Sequence, residues 1–184
     1  MTHFARRLQR ESARLAELVS QIIELSRLQS SDPMLNREVV DVEEIVDEAV
    51  GRTREAAEAR SINLVRAAVP RARVLGDRWQ LIDALVNLVQ NAINYSDDNA
   101  RVVVAAVRVS DEDGEHVEIT VTDNGIGISQ EDQERIFERF YRVDYGRSRE
   151  SGGTGLGLSI VRHIALAHKR SEEHTSELQS LVII

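Results

Sequence analysis

The sequence contains no cysteine, so neither a disulfide framework nor a thiolate metal site can be built from it. It has a single lysine, Lys169; every other basic residue is arginine. Long apolar runs are missing: none approaches a membrane span, and Met1-Thr2-His3-Phe4-Ala5-Arg6-Arg7 leads into no signal-peptide core. An excess of positive charge is missing too, since the formal net charge is −8 at pH 7, which argues against a general nucleic-acid or anionic-membrane surface. No internal repeat is visible. What remains is 184 residues with 42% hydrophobic and 29% charged side chains, the composition of a soluble globular domain with one appended element.

The periodicity predicts a helix over residues 4–28, with Phe4, Leu8, Leu15, Leu18, Ile22 and Leu25 at three- and four-residue spacing. That seam asks for partner helices, although packing on its own domain satisfies it too. Ser30-Ser31-Asp32-Pro33 breaks the pattern and reads as a hinge. A strand near 38–40 follows, then a helix over 42–59 capped by Asp41, with Val42, Ile45, Val46, Ala49 and Val50 inward. Strands are expected at 61–67 and 72–75, on either side of the Pro70 turn. Asp77 and Gln80 have N-cap and N3 spacing for a helix reaching Tyr95, which buries Leu81, Leu85, Leu88 and Ala92. Residues 101–109 and 115–122 form a hairpin through Asp111-Glu112-Asp113-Gly114. Helices over 131–140 and 154–168 complete the pattern. The order predicts one bundle helix and then an α+β domain with helices on one face of a mixed sheet.

Three stretches carry chemistry. Asp123-Asn124-Gly125-Ile126-Gly127-Ile128 puts a carboxylate at a strand end, followed by two glycines. The carboxylate can accept from an exocyclic amine, and glycine lets backbone approach a flat ring, yet Asp-Asn-Gly is also a good turn sequence. Asn87, Asn91 and Asn94 stand at i, i+4 and i+7 and share one helix face. Amide oxygens there suit a Mg²⁺ ion already carrying phosphate oxygens; an exposed polar stripe is the other reading. Gly152-Gly153-Thr154-Gly155-Leu156-Gly157-Leu158 opens the last helix. Glycines at a helix start expose backbone N–H groups to an anion, phosphate above all. A flexible linker fits poorly, because an apolar helix follows at once. Neither a P-loop nor a Rossmann fingerprint is present. Phe137 and Phe140 are spaced to anchor one helix face beside a mobile 143–151 loop, in the manner of a lid; Arg142, Arg147 and Arg149 could reach phosphate, while for any one of them a surface arginine with no specific task is the safer reading.

In this order the motifs resemble the N, G1, F and G2 boxes of the ATP-binding catalytic domain of bacterial sensor histidine kinases, in the GHKL family shared with gyrase and MutL. The resemblance covers about residues 38–168 and implies an α/β sandwich of the Bergerat type. The 1–29 segment is similar to the second helix of the dimerisation and phosphotransfer hairpin, with 30–37 as linker. By resemblance, Asn91 ligates Mg²⁺ with Asn87 beside it, and Asp123 accepts from the adenine amine. Gly125, Gly127 and Ile128 shape the adenine pocket, Tyr95 flanks the nucleotide, and Thr154, Gly155, Leu156 and Gly157 line the phosphates. Asn94 departs from the family, many of whose members have a basic residue there.

The wider family's hydrolases carry a glutamate general base one turn before the magnesium asparagine. Here Asn87 stands at that position and cannot take a proton, which favours holding ATP for transfer. The resemblance therefore implies ATP and Mg²⁺ as cofactors, a response regulator as partner of the intact parent, and a homodimer through the bundle helix. It places this part in the cytoplasm and the parent in the bacterial inner membrane. A noncatalytic ATP-binding or dimerisation fragment and an ATPase module are the alternatives. None of His3, His116, His163, His168 or His174 has the sequence context of the phosphoacceptor, so each reads as an ordinary structural or surface histidine.

From Lys169 onward the chain resembles a translated sequencing adapter, so 169–184 read as a non-native tail. The family's two closing strands are then missing, and the sheet is expected to lack edge partners and to lose stability. The arginine-rich body points to a high-GC bacterium. Leu25-Ser26-Arg27-Leu28-Gln29 and Glu138-Arg139-Phe140-Tyr141-Arg142 are most similar to phosphate-responsive kinases of such organisms.

Overall fold

The computed structural model describes residues 36–111, 114–143, 154–169 and 180–183, with Ser12 and Val19 as isolated helical positions. The 4–28 helix, the hinge and most of the 143–151 loop, Arg147 and Arg149 included, therefore lie outside the described residues.

Strand β1 (Glu38–Asp41) runs directly into helix α1 (Val42–Ala59). Its apolar positions recur at helical spacing, so Val42, Ile45, Val46, Ala49 and Val50 form one buried stripe, extended by Thr53 and Ala57. Asp41 stands at the N-cap with extended backbone but makes no side-chain cap. The Val42 N–H is instead taken by the Ala72 carbonyl at 3.0 Å. Strands β2 (Asn63–Arg66) and β3 (Arg73–Gly76) follow; β3 pairs antiparallel with β1, Glu38 opposite Gly76 and Asp41 opposite Arg73.

Helix α2 (Arg78–Tyr95) starts as the sequence predicts. Asp77 Oδ1 accepts from the Trp79 and Gln80 N–H groups at 3.0 and 3.1 Å, and the Gln80 amide donates back to the Asp77 carboxylate. The helix is buried on two sides. Leu81, Ile82, Leu85, Val89, Ala92 and Ile93 enter the main core with α1 and the sheet. Ala84, with half-buried Leu88, instead meets Leu156, Ile160, Val161 and Ile164 of helix α3 (Gly157–Lys169) and the residue just before it.

Strands β4 (Arg101–Asp111) and β5 (Gly114–Asp123) form the expected hairpin, in register from Val102–Asp123 to Asp111–Gly114, with Gly114 at φ +112°. Strand β2 pairs parallel with β4, making a mixed sheet. Val102, Val104, Ala106, Val117 and Ile119 point to the helices, while Val107 is exposed on the other face. The alternation is that of a sheet covered on one side. The described strands thus divide into two sheets, the β1–β3 pair and the larger β2-β4-β5-β6 sheet.

Two expectations are corrected. No α-helix forms over 131–140; only a 3₁₀ turn, Arg135–Phe137, is present there. Ten residues with little apolar surface nucleate a helix poorly. Tertiary bonds compete as well, since Ser129 and Tyr141 hydroxyls both donate to the Asp132 carboxylate, which folds the segment back on itself. The sheet edge is also not bare along its whole length. Strand β6 (Ser180–Ile183) lies parallel to β5, from His116 opposite Ser180 to Ile119 opposite Ile183.

Candidate nucleotide-binding site

Helix α2 is the spine on which the sequence-predicted residues meet. At its C-terminal end the turn after β5 docks on Tyr95. The Ile126 N–H donates to the Tyr95 carbonyl at 3.2 Å. Gly125 lies so close that a Cβ there would sit 2.5 Å from the same oxygen. The Gly125 N–H donates to Asp123 Oδ1 at 2.8 Å, an Asx-type turn that orients the carboxylate and leaves Oδ2 without a partner among the described residues. Asn124 does more than favour the turn, because its Oδ1 accepts from the Arg101 N–H at 2.8 Å and ties the turn to the start of β4. Gly127 has φ +70° and open space where a Cβ would go. The site is open, with Asp123, Gly127 and Ile128 exposed and Gly125 half-buried. Tyr95 enters the site through its backbone carbonyl.

Two turns back along α2, Asn87 meets the glycine-rich loop. Its Nδ2 donates to the Asp83 carbonyl at 2.9 Å. Its Oδ1 is 2.8 Å from the point a Gly157 Cβ would occupy, so any side chain at the start of α3 would have to push the Asn87 amide aside. Asp83 lies one turn further back, its carboxyl pushed above the usual range by burial against the opposing pull of Arg52, to which it is bonded at 3.1 Å. Asn91 stands between the two ends on the same face, half-buried, and its side-chain amide makes no hydrogen bond among the described residues. Asn94 is engaged, its Oδ1 accepting from the Gln90 amide at 3.2 Å.

The loop into α3 is set by Gly155 at φ +75°. A Cβ there would fall 2.9 Å from Phe140 Cα, and the Gly155 carbonyl accepts from the Phe140 N–H at 2.8 Å. Thr154 Oγ1 accepts from the Leu156 N–H and Leu156 is fully buried; the first N–H groups of any helix lack an intrahelical acceptor. Phe140 does not anchor a helix face, contrary to expectation: its side chain is exposed and its backbone, at φ +63°, makes the contact. Tyr141 takes the anchoring place. Its hydroxyl donates to Asp132, whose carboxyl pKa is lowered first by the Ser129 hydroxyl and then by this one; the bond raises the tyrosine's own, while the Arg135 guanidinium lies 4.2 Å from its ring centre.

Two further residues make contacts that the sequence does not mark. Arg60, just past α1, sends its guanidinium to the last carbonyls of α2. His168 joins α3 to the start of α2, its Nε2 accepting from the Asp77 N–H at 3.1 Å and its Nδ1 donating to the Ile164 carbonyl at 2.8 Å. Local spacing signals neither, since the bonds to α2 and to Asp77 reach across more than thirty residues of chain.

A sheet covered on one face, an asparagine-bearing helix, a strand-end Asp turn at one end of it and a glycine-opened helix start further back define a nucleotide-binding α/β domain. The chain belongs to the histidine kinase-, DNA gyrase B-, and HSP90-like ATPase family, whose model matches residues 76–182. It is 48% identical over 168 residues to the sensor-like histidine kinase SenX3 of Mycolicibacterium smegmatis, covering 91% of this chain and 43% of that protein. It is 31% identical to the phosphate regulon sensor protein PhoR of Pseudomonas aeruginosa over 92% of this chain and 37% of the other. The full-length structure of ShkA in complex with AMPPNP matches 86% of this chain and 32% of that one, with a TM-score of 0.72 and 28% identity. The chain thus spans less than half the length of the curated relatives it matches. Among the described residues no helix is long and apolar enough to cross a membrane.

Proposed function

We propose that this chain is the ATP-binding catalytic part of a sensor histidine kinase, positioning ATP·Mg²⁺ for transfer of its γ-phosphoryl group to a histidine and thence to a response-regulator aspartate. The observation that carries the reading is the double docking on α2: the Asp123 turn at Tyr95 and the α3 start at Asn87 lie about 12 Å apart along the helix, with Asn91 between them. Adenine takes the first end, where the Asp123 carboxylate accepts from the exocyclic amine and the Gly125 to Ile128 backbone lies against the ring. The triphosphate takes the second, against the backbone of the Thr154 to Gly157 turn and the positive end of α3.

The residues present fit Mg²⁺. Asn91 offers a half-buried amide oxygen, a neutral hard donor with no competing hydrogen bond among the described residues. The ion would neutralise charge on the transferring phosphoryl group. Asn87 lies against the helix start and has no basicity, so no general base for water stands at its position. The parent is proposed to be a phosphate-responsive sensor that dimerises through the 1–29 helix and is anchored in the inner membrane, with this part in the cytoplasm.

Calorimetric titration with ATP·Mg²⁺ tests the pocket. Asp123→Asn is expected to weaken binding by about tenfold or more, the loss of one charge-assisted hydrogen bond. The chain supplied with a separate acceptor hairpin should label that hairpin and not itself. A stable phosphohistidine on this chain alone would overturn the expectation that it does not label itself; failure of the unaltered chain to bind ATP would sink the proposal.

A further inference from the structure

Helix α2 ends without a device of its own. Ser96, after its last residue, has φ −92° and ψ 153°, so the left-handed residue that usually satisfies terminal carbonyls is missing, and the last turn carries no basic side chain. The missing cation comes from Arg60, the residue that ends α1. Arg60 Nη1 donates to the Ile93 and Asn94 carbonyls, and Nη2 to the Ser96 carbonyl at 2.8 Å. Its own carbonyl accepts from the Asn99 N–H, and the neighbouring Asn63 N–H donates to the Ala100 carbonyl at 2.8 Å. One planar guanidinium and its flanking backbone thus clamp the whole connector from the end of α2 to the start of β4. Three carbonyls at the negative end of a helix dipole are met by one fixed positive charge.

That connector is what the Asp123 turn rests on. The Tyr95 carbonyl, between two carbonyls that Arg60 holds, takes the Ile126 N–H; the Arg101 N–H, at the far end of the connector, donates to Asn124. Gly125 touches the same Tyr95 oxygen, leaving no slack for the turn to follow a shifted helix end. We infer that Arg60 is a positioning residue for the adenine end of the site, fixing the Asp123 carboxylate by holding the α2–β4 connector on which the turn is docked. The inference rests on the ATP-site reading above. It requires the fork geometry and not charge alone: a lysine ammonium is a point donor on a flexible stem and cannot span carbonyls on both sides of Tyr95. The exposed Asp98 carboxylate, 3.4 Å from Nη2, is a surface pair that adds little.

The experiment measures two things on the full chain and its Arg60→Gln and Arg60→Lys variants, well below their thermal midpoints. One is ATP·Mg²⁺ affinity; the other is amide hydrogen exchange in the nucleotide-free protein. Expected are a loss of about tenfold in ATP affinity for Arg60→Gln and of roughly threefold for Arg60→Lys. The Gly125 and Ile126 amides should exchange faster while the β1–β3 pair keeps its rates. Unchanged affinity, or exchange that rises equally everywhere, overturns the inference; the second result would mark Arg60 as merely structural. If Arg60→Gln does not fold, Arg60→Lys decides by the same criteria. If the unaltered chain binds no ATP, the site reading fails, and the exchange data still decide whether Arg60 holds the turn.

Discussion

Gly125 and Gly127 stand two residues apart and lack a side chain for different reasons. At Gly125 the limit is contact, because a methyl group would press on the Tyr95 carbonyl from 2.5 Å. At Gly127 it is backbone conformation, since φ is +70° with nothing nearby. Gly125→Ala is therefore expected to push the Asp123 turn off α2, costing about 1–3 kcal/mol as overpacking does and removing ATP binding. Gly127→Ala should cost about 1 kcal/mol of conformational strain and leave the turn docked. Urea unfolding and nucleotide titration of both variants check this; equal losses would mean that contact is not what Gly125 avoids. The pattern Asp-x-Gly-x-Gly was legible in the sequence because it is local. Which oxygen Gly125 had to clear was not, since Tyr95 lies about thirty residues away in the chain.

Helix α3 shows how an element is held at both ends. Its start is pinned by Leu156, Ile160 and Ile164 against Ala84 and Leu88, where each large buried side chain contributes about 1.5–3 kcal/mol. Its end is pinned by His168, whose ring lies against Gly76 and links the Ile164 carbonyl to the Asp77 N–H. Burial holds the imidazole pKa below its usual value; the Ile164 hydrogen bond and the Asp77 carboxylate oppose the shift, and Arg37 adds to it. A neutral ring is needed, since protonation removes the acceptor for Asp77. The unfolded chain gains its proton near pH 6.5 while the folded one resists, so this stability is present above about pH 6.5 and is lost as pH falls below it. Melting at pH 8 and pH 5.5 should show a fall in midpoint for the unaltered chain and a smaller one for His168→Gln, whose amide can make both bonds. Identical slopes would show that His168 does not carry the dependence. The opposite outcome for an element is residues 131–140. Their helical pattern is real, but Asp132, Tyr141 and the Phe140–Gly155 bond satisfy the segment otherwise, and tertiary contacts outrank weak propensity.

The whole molecule is organised by what covers the β4–β5 hairpin. On one face the helices close it; along its outer edge β6 pairs with residues 116–119 of β5. Removing the last five residues, 180–184, should bare that stretch and lower the thermal midpoint by roughly 2–4 °C for each kcal/mol of lost pairing. An unchanged midpoint would mean that the pairing adds nothing. The sequence by itself determined the elements whose signals are periodic and local: α1, α2, the β4–β5 hairpin, the Asp77 cap and the glycine-opened start of α3. It also determined the chemical inventory of the site, because an amide face, a strand-end carboxylate and exposed helix-start N–H groups are properties of residue type and spacing. Only the tertiary structure decided how α2 joins them. The Gly157 contact with Asn87, the Tyr95 carbonyl under Gly125, the Arg60 clamp and the His168 link are all long-range contacts. Their partners are chosen by which terminal carbonyls and N–H groups remain unsatisfied once the helices have packed, and no window of local sequence contains that information.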